Sequence, residues 1–135
     1  MPGLPLQLRA VMAAFATLIL AVVFSTAVIA APPAATIREV DHLFAYLKSS
    51  GCKFNRNGAW STAKEAVEHL KTKYDYLLER DLVTSTESFI ERGASKSSVS
   101  GKPYLVQCGD TAAAESEEWF MAELLHYRAS NADGR

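Results

Sequence analysis

The chain has 135 residues, of which 49% are hydrophobic and 21% are charged, and its formal net charge is −1 at neutral pH. This length and composition are typical of one globular domain. The near-neutral charge excludes the basic surface that a nucleic-acid-binding domain or a polybasic membrane-binding segment requires.

The N-terminal segment has the pattern of a signal peptide. Arg9 is the only charged side chain before an uncharged, strongly apolar run over residues 10–31, and small residues follow near Ala30. A basic start, an apolar middle and a small-residue end are the three parts of an export signal. We therefore predict residues 1–30 to be a signal peptide, cleaved after Ala30 or a few residues later, and the protein to be exported.

An uncleaved membrane anchor is the alternative interpretation of this segment. The apolar run is about as long as the 20 residues that cross a bilayer as a helix. Ser25 and Thr26 interrupt the run, however, and Pro32-Pro33 follows it where a cleavage site is expected. These features favour cleavage, so we expect no stable membrane anchor in the mature protein.

The mature chain is predicted to contain an extended leader at residues 31–35, a single globular domain at 36–128 and a flexible tail at 129–135. Its net charge is about −2, since the removed segment contains one arginine and no acid. We predict a mostly α fold with a small β element (α+β). It contains about four helices, a two-stranded antiparallel sheet and one disulfide.

The helix starts are predicted by capping boxes, in which a Ser or Thr side chain and a Glu three residues later bind each other's backbone N–H groups. The three boxes are Thr36–Glu39, Thr62–Glu65 and Thr84–Glu87. Gly51 is expected to end the first helix, because glycine readily adopts the left-handed conformation found there. Ser116 is expected to cap the last helix.

Two short strands are predicted at residues 52–56 and 104–108. The first leads into Asn57-Gly58, a strong turn signal. If the strands pair antiparallel with Cys52 opposite Cys108, then Phe54 faces Val106 and Arg56 faces Tyr104. Two cysteines in an exported chain also indicate a disulfide.

The segment at residues 94–102 is rich in serine and too polar to be predicted as a buried element. One interpretation is a solvated connection between a helix and a strand. The other is a cradle for an anionic or sugar ligand, since it contains hydroxyls, two lysines and flexible backbone N–H groups.

Motifs for catalysis and metal binding are weak. Ser61–Lys64 matches S-x-x-K, but the residues sit where any helix is capped, and the companion motifs of that enzyme class are missing. Gly101-Lys102 does not fit a phosphate-binding loop, because Pro103 replaces the required Ser or Thr. The three histidines (His42, His69 and His126) have no metal-ligand spacing. We therefore predict no cofactor and no metal site.

Several of these segments together resemble one protein family. They are Phe54–Gly58, Glu65–Lys73, Thr84–Ile90 and Ala94–Tyr104, and the last ends in the string Ser-Gly-Lys-Pro-Tyr. The chain resembles the YfeK-like family of small exported bacterial proteins, a domain of unknown function, over about residues 37–128. The resemblance implies a periplasmic location and no known activity. Because some relatives lack the cysteine pair, it also implies that the disulfide is accessory to the fold.

The polar positions that match the family pattern are our candidate ligand-binding residues. They are Arg56, Asn57, His69, Ser97, Ser98, Gly101 and Lys102. Asn57 and Gly101 also have structural interpretations, as part of a turn and as a special backbone conformation.

The predicted strand pairing brings Arg56 near the serine-rich segment and Lys102. Two cations held close together repel, so an anion is expected between them. That anion is either an internal carboxylate, from Glu65 or Glu68, or part of a ligand. In the second case Arg56 and Lys102 bind it, with Ser97 and Ser98 as hydrogen-bond donors.

The function predicted from the sequence is a non-enzymatic binding or interaction module of the cell envelope. Its partner is expected to be an anionic cell-wall fragment or another envelope protein. The alternative is a small hydrolase, or a regulator of one, that acts on cell-wall material with His69 as a base.

The signal peptide leads to a first testable outcome. When the full chain is expressed in a Gram-negative host, we expect protein recovered from the periplasm to begin at Ala31 or within a few residues of it. N-terminal sequencing of that fraction measures the cleavage site. Retention of Met1 would contradict the assignment.

Overall fold

The computed structural model describes residues 31–134 and contains four α-helices, a π-helical turn and four strands. The helices are α1 (Ala34–Ser49), α2 (Ala63–Leu78), α3 (Thr86–Phe89) and α4 (Ser116–Ala132), and the π-helical turn is Ile90–Ala94. The strands are β1 (Lys53–Arg56), β2 (Ala59–Ser61), β3 (Leu105–Gln107) and β4 (Ala114–Glu115).

The predicted signal peptide and its cleavage site at Ala30 lie outside the described residues. None of the helices between residues 31 and 134 is long and apolar enough to cross a membrane. The C-terminal helix α4 continues to Ala132, through the first four residues of the segment expected to be a flexible tail.

The sheet confirms the predicted class but has four antiparallel strands rather than two, in the order β2-β1-β3-β4. The additional strand β2 forms because Asn57 and Gly58 both have positive φ (54° and 85°), which makes a two-residue hairpin turn between β1 and β2. Strands β2 and β4 have three and two residues, and an alternating pattern cannot be recognised over so short a length.

The predicted register between β1 and β3 is confirmed where the two strands pair. Phe54 lies opposite Val106, and both side chains are buried. Cys52 and Cys108, just outside the paired residues, form the predicted disulfide with their Cα atoms 4.3 Å apart. The hydrophobic core lies between this pair of strands and the helices, with Leu43 and Leu70 fully buried among its residues.

The capping box of α2 is present as predicted. The Thr62 hydroxyl accepts a hydrogen bond from the Glu65 backbone N–H, and the Glu65 carboxylate accepts one from the Thr62 N–H at 2.8 Å. Gly51 (φ 66°) follows the end of α1, also as predicted.

The predicted capping box at Thr36–Glu39 is wrong. Helix α1 already begins at Ala34 after Pro33, so Thr36 lies inside the first turn and is buried. The Glu39 carboxylate is engaged elsewhere, because it accepts hydrogen bonds at 2.8 and 2.9 Å from Arg128 of α4.

The third predicted box is shifted by one residue. The hydroxyls of Ser85 and Ser88 form the box at the start of α3. Glu87, expected to close it, instead accepts a hydrogen bond from Arg128.

Ser116 does not cap α4, contrary to expectation. Glu115 occupies the capping position, and the Ser116 hydroxyl is fully buried without a hydrogen-bond partner in the part of the chain that the structure describes. Glu117 and Glu118 lie in the first turn of α4, where their negative charges interact favourably with the helix dipole.

The disulfide is expected to add stability without being needed for folding. It closes a loop with a sequence separation of 56. Replacement of both cysteines (Cys52→Ala with Cys108→Ala) should therefore lower the free energy of unfolding by about 2–4 kcal/mol. Urea denaturation of the folded double variant measures this loss.

Reduction of the parent protein serves as a control. A reductant should lower the stability of the parent and leave the double variant unchanged. Two free thiols in non-reduced periplasmic protein would contradict the disulfide.

Candidate functional site

A pocket of about 550 Å³ opens between the β1–β2 turn, helix α2 and the serine-rich segment before β3. We call it the cationic pocket. Its polar lining residues are Arg56, Asn57, His69, Thr72, Lys73, Ser97, Ser98 and Tyr104, and Ala59, Tyr76 and Val99 complete the wall.

Three elements of the fold position these side chains. Arg56 is the last residue of β1, and Asn57 begins the turn that follows. His69 and Lys73 are four residues apart on α2, so they lie on the same face of that helix, one turn apart. Tyr104 precedes β3, and its ring is buried with its centroid 5.2 Å from that of Phe54. The pocket therefore has a rigid floor formed by the core.

His69 is held as a neutral imidazole. The Arg56 Nη1 atom lies 2.5 Å from His69 Nδ1, and a guanidinium group only donates hydrogen bonds. Nδ1 is therefore the acceptor, and the ring proton is on Nε2, which lies 3.4 Å from the Tyr104 hydroxyl. Burial lowers the His69 pKa to about 4, assisted by the positive charges of Arg56 and Lys73.

Lys73 and Tyr104 extend this hydrogen-bond chain. The half-buried Lys73 Nζ donates to the Tyr104 hydroxyl at 3.2 Å and to the Lys96 carbonyl at 3.1 Å. Burial, and then the charge of Arg56, lower the Lys73 pKa. Burial raises the Tyr104 pKa, although Arg56 opposes this.

The Tyr104 hydroxyl retains one unused donor. Its oxygen accepts hydrogen bonds from both His69 Nε2 and Lys73 Nζ. Its own proton has no acceptor among residues 31–134. Tyr104 lines the floor of the cationic pocket and is only 2% exposed, so an acceptor must reach this floor to bind the proton.

The serine-rich segment is ordered by its own hydroxyls. Ser98 to Lys102 are exposed, as expected, whereas most of the first part of the segment is buried. Ser95 and Ser97 are both 5% exposed. The Ser97 hydroxyl accepts hydrogen bonds at 3.2 Å from the Val99 and Ser100 N–H groups and from the Asn57 amide. The Ser100 hydroxyl in turn donates to the Asn57 side-chain oxygen at 2.5 Å. This segment is therefore fixed against the β1–β2 turn.

The structure brings together five of the seven candidate residues predicted from sequence. Arg56, Asn57, His69, Ser97 and Ser98 line the cationic pocket. Asn57 and Ser97 mainly hold the loop, whereas the Ser98 hydroxyl has no hydrogen-bond partner within the described chain.

The other two candidates lie elsewhere. Gly101 (φ 71°) lines a second pocket of about 590 Å³ on the other side of the serine-rich segment. Lys102 is exposed and lines neither pocket. Lys73 and Tyr104 occupy positions in the cationic pocket that the candidate set did not include. Lys73 could have been found from the sequence, because it follows His69 by four residues on α2.

No carboxylate of residues 31–134 lies within 4.0 Å of the Arg56 or Lys73 cation. Glu65, one of the two internal anions considered above, uses its carboxylate in the capping box of α2. No ion pair of the described residues therefore supports the expectation that Glu65 or Glu68 neutralises Arg56. The pocket remains a cationic wall without an internal counter-ion among the described residues.

The described part of the chain also contains no group of three or more His, Cys, Asp or Glu side chains arranged to hold a metal ion. Ser61, the first residue of the S-x-x-K string, donates its hydroxyl to the Phe54 carbonyl at 3.3 Å. This contact is structural and joins β2 to β1.

Comparison with known proteins gives one family and one curated relative. A model described as "Family of unknown function (DUF5329)" matches residues 34–128. The chain is 43% identical over 51 residues to "Uncharacterized protein YfeK" of Salmonella typhimurium, a match that covers 38% of this chain and 41% of that protein. No solved structure matches. These findings confirm the resemblance to a YfeK-like family of unknown function.

The electrostatics of the pocket predict an unusual titration for His69. Because burial and two cations disfavour a third positive charge, His69 should stay neutral, with its proton on Nε2, as the pH falls from 8 to 5 and become charged only near pH 4. NMR of the imidazole nitrogens measures this directly, with His69→Gln used to assign the signals.

Two variants test the cause of the shift. Arg56→Gln should raise the His69 pKa, because it removes one of the repelling charges. Lys64→Gln is the matched control, since Lys64 is an exposed cation on α2 outside the pocket, and it should change the pKa little. Titration of His69 near 6.5 in the parent protein would contradict the arrangement.

Proposed function

The chain belongs to the DUF5329 family, whose function is unknown, and we propose that this member binds an anionic ligand in the cationic pocket without transforming it. The observation that supports this proposal is the pair of cations, Arg56 and Lys73, that line one pocket. Neither has a carboxylate of the described residues within 4.0 Å.

The positive charges of Arg56 and Lys73 repel each other in the unliganded protein. The charge of Arg56 contributes to the lowered pKa of Lys73, so the two cations raise each other's free energy in the unliganded protein. An anion between them would remove this repulsion and accept charge-assisted hydrogen bonds, which are stronger than neutral ones. The folded protein therefore favours an anion at this place.

The uncharged groups of the pocket supply further donors. The Tyr104 hydroxyl has no acceptor for its proton among the described residues, and the exposed Ser98 hydroxyl is also unpaired there. Carboxylate and phosphate groups have several acceptor sites each, so they match a wall of cations and hydroxyl donors better than a neutral ligand does.

The arrangement of His69 argues against the hydrolase alternative. A general base needs a free nitrogen lone pair within hydrogen-bond reach of the proton that it removes. His69 Nδ1 accepts from Arg56, and Nε2 has its proton directed at Tyr104. The low pKa of His69 also makes it a weak base. We therefore assign it an electrostatic and positioning role.

We further propose that the protein acts in the periplasm, where an anionic cell-wall fragment or an anionic segment of another envelope protein is the ligand. The support for this setting is the N-terminal sequence, which has the layout of a cleaved export signal, together with the disulfide, which is typical of an oxidising compartment.

Calorimetric titration with inorganic phosphate, acetate and a soluble anionic cell-wall fragment tests the binding function. The titrations are made at constant ionic strength with chloride as the reference ion. We expect saturable binding of the anions to the parent protein. Arg56→Gln and Lys73→Gln should each weaken this binding about tenfold or more, since each removes a charge-assisted contact.

Stability measurements separate a ligand site from a structural cluster. In the absence of ligand, Arg56→Gln should leave the melting temperature unchanged or raise it, because it relieves repulsion. Lys64→Gln controls for the loss of one positive charge on α2 and should keep the parent's affinity. Absence of saturable anion binding, or an equal loss of affinity in the control, would refute the proposal.

A further inference from the structure

The cationic pocket also has an apolar wall, formed by Ala59, Tyr76 and Val99. Tyr76 is 54% exposed and Val99 is 97% exposed. Both are large hydrophobic side chains exposed to solvent in the described part of the chain. Single exposed apolar residues are common on protein surfaces. Here, however, two of them lie on one pocket, next to its cations.

Tyr76 is held in a fixed position. It follows Lys73 by three residues on α2, so the two side chains are neighbours on the helix surface. The Arg80 guanidinium lies over its ring, 3.6 Å from the centroid, and Arg80 also donates to the Tyr76 carbonyl at 3.0 Å. The ring is thus supported from one side while it lines the pocket.

Val99 is also held in place despite its exposure. Its backbone N–H donates to the buried Ser97 hydroxyl, which the Asn57 amide contacts in turn. Val99 is the only apolar residue between Ser95 and Lys102, apart from the glycine. An ordered loop that places its single aliphatic side chain in water at the rim of a pocket provides an apolar contact for a ligand.

We propose that the pocket selects an organic anion in which the charged group is attached to a ring. This inference rests on the proposed anion-binding function and adds the ligand class. The phosphate or carboxylate lies against Arg56, Lys73 and the Tyr104 hydroxyl. The ring, either aromatic or the apolar face of a sugar, packs on Tyr76 and Val99, which determine specificity.

Matched pairs of probes test this selection by calorimetry. Phenyl phosphate is compared with inorganic phosphate, benzoate with acetate, and glucose 1-phosphate represents a sugar ring. We expect the ring to tighten binding about tenfold, because it removes apolar surface of both partners from water. The difference between the aromatic and sugar phosphates identifies the ring type.

Three variants assign the effect to the apolar wall. Tyr76→Ala and Val99→Ser should lose the gain contributed by the ring while the affinity for inorganic phosphate stays within a factor of two. Tyr76→Phe should retain the gain. Leu125→Ser, which alters an exposed apolar residue of α4 outside the pocket, is the matched control and should bind both probes like the parent.

The possible failures of the two proposals are distinct. If phenyl phosphate and inorganic phosphate bind equally well, or if Tyr76→Ala weakens both to the same extent, the ring selection is overturned and the anion site stands. If neither probe binds the parent protein, both proposals are overturned.

Discussion

The antiparallel pairing of β1 with β3 is the constraint on which the cationic pocket depends. With Phe54 opposite Val106, the end of β1 places Arg56 beside the segment that leads into β3, where Tyr104 lies. The disulfide joins the two strands just beyond the opposite end of their pairing. Side chains alternate along a strand, so a slip of one residue would expose Phe54 and turn Arg56 to the other face. Burial of the core therefore also selects the geometry of the site.

Local signals predicted the fold only where no distant residue competes for the same group. The capping box at Thr62–Glu65 forms because both partners are on one turn and remain free to bind each other. The box expected at Thr36–Glu39 does not form, because α1 already begins at Ala34. The Glu39 and Glu87 carboxylates instead bind Arg128, which is 89 and 41 residues away in sequence. Ion pairs between residues so far apart in sequence leave no periodic pattern from which they could be predicted. The shortest strands were missed for a related reason, because they arise from a neighbouring strand and not from their own composition.

The sequence predicted more of the candidate site than of the details of the fold. The residues of the site lie in segments that match the family pattern. Arg56 and His69 were both candidates, and the structure shows a contact between them that was not predicted. Lys73 and Tyr104 were not among the candidates, since their role depends on how α2 packs against β1 and the segment that precedes β3. The serine-rich segment was predicted to be exposed from composition alone. In the structure, Ser98 to Lys102 are exposed as expected, whereas Ser97 is buried, because its hydroxyl accepts hydrogen bonds from the Val99 and Ser100 N–H groups.

Arg128 and Arg56 differ in how their charge is balanced within residues 31–134: the first has internal carboxylate partners, and the second has none. Arg128 donates to Glu39 and Glu87, and these hydrogen bonds lower the pKa of both carboxyl groups. Arg56 instead donates to a neutral imidazole, and its charge adds to the burial that lowers the pKa of Lys73. The first arrangement ties α1, α3 and α4 together; the second raises the free energy of the unliganded state. An anion that enters the pocket would release this repulsion in addition to forming its own hydrogen bonds. Relief of the repulsion that destabilises the unliganded protein would thus contribute to the affinity for the ligand.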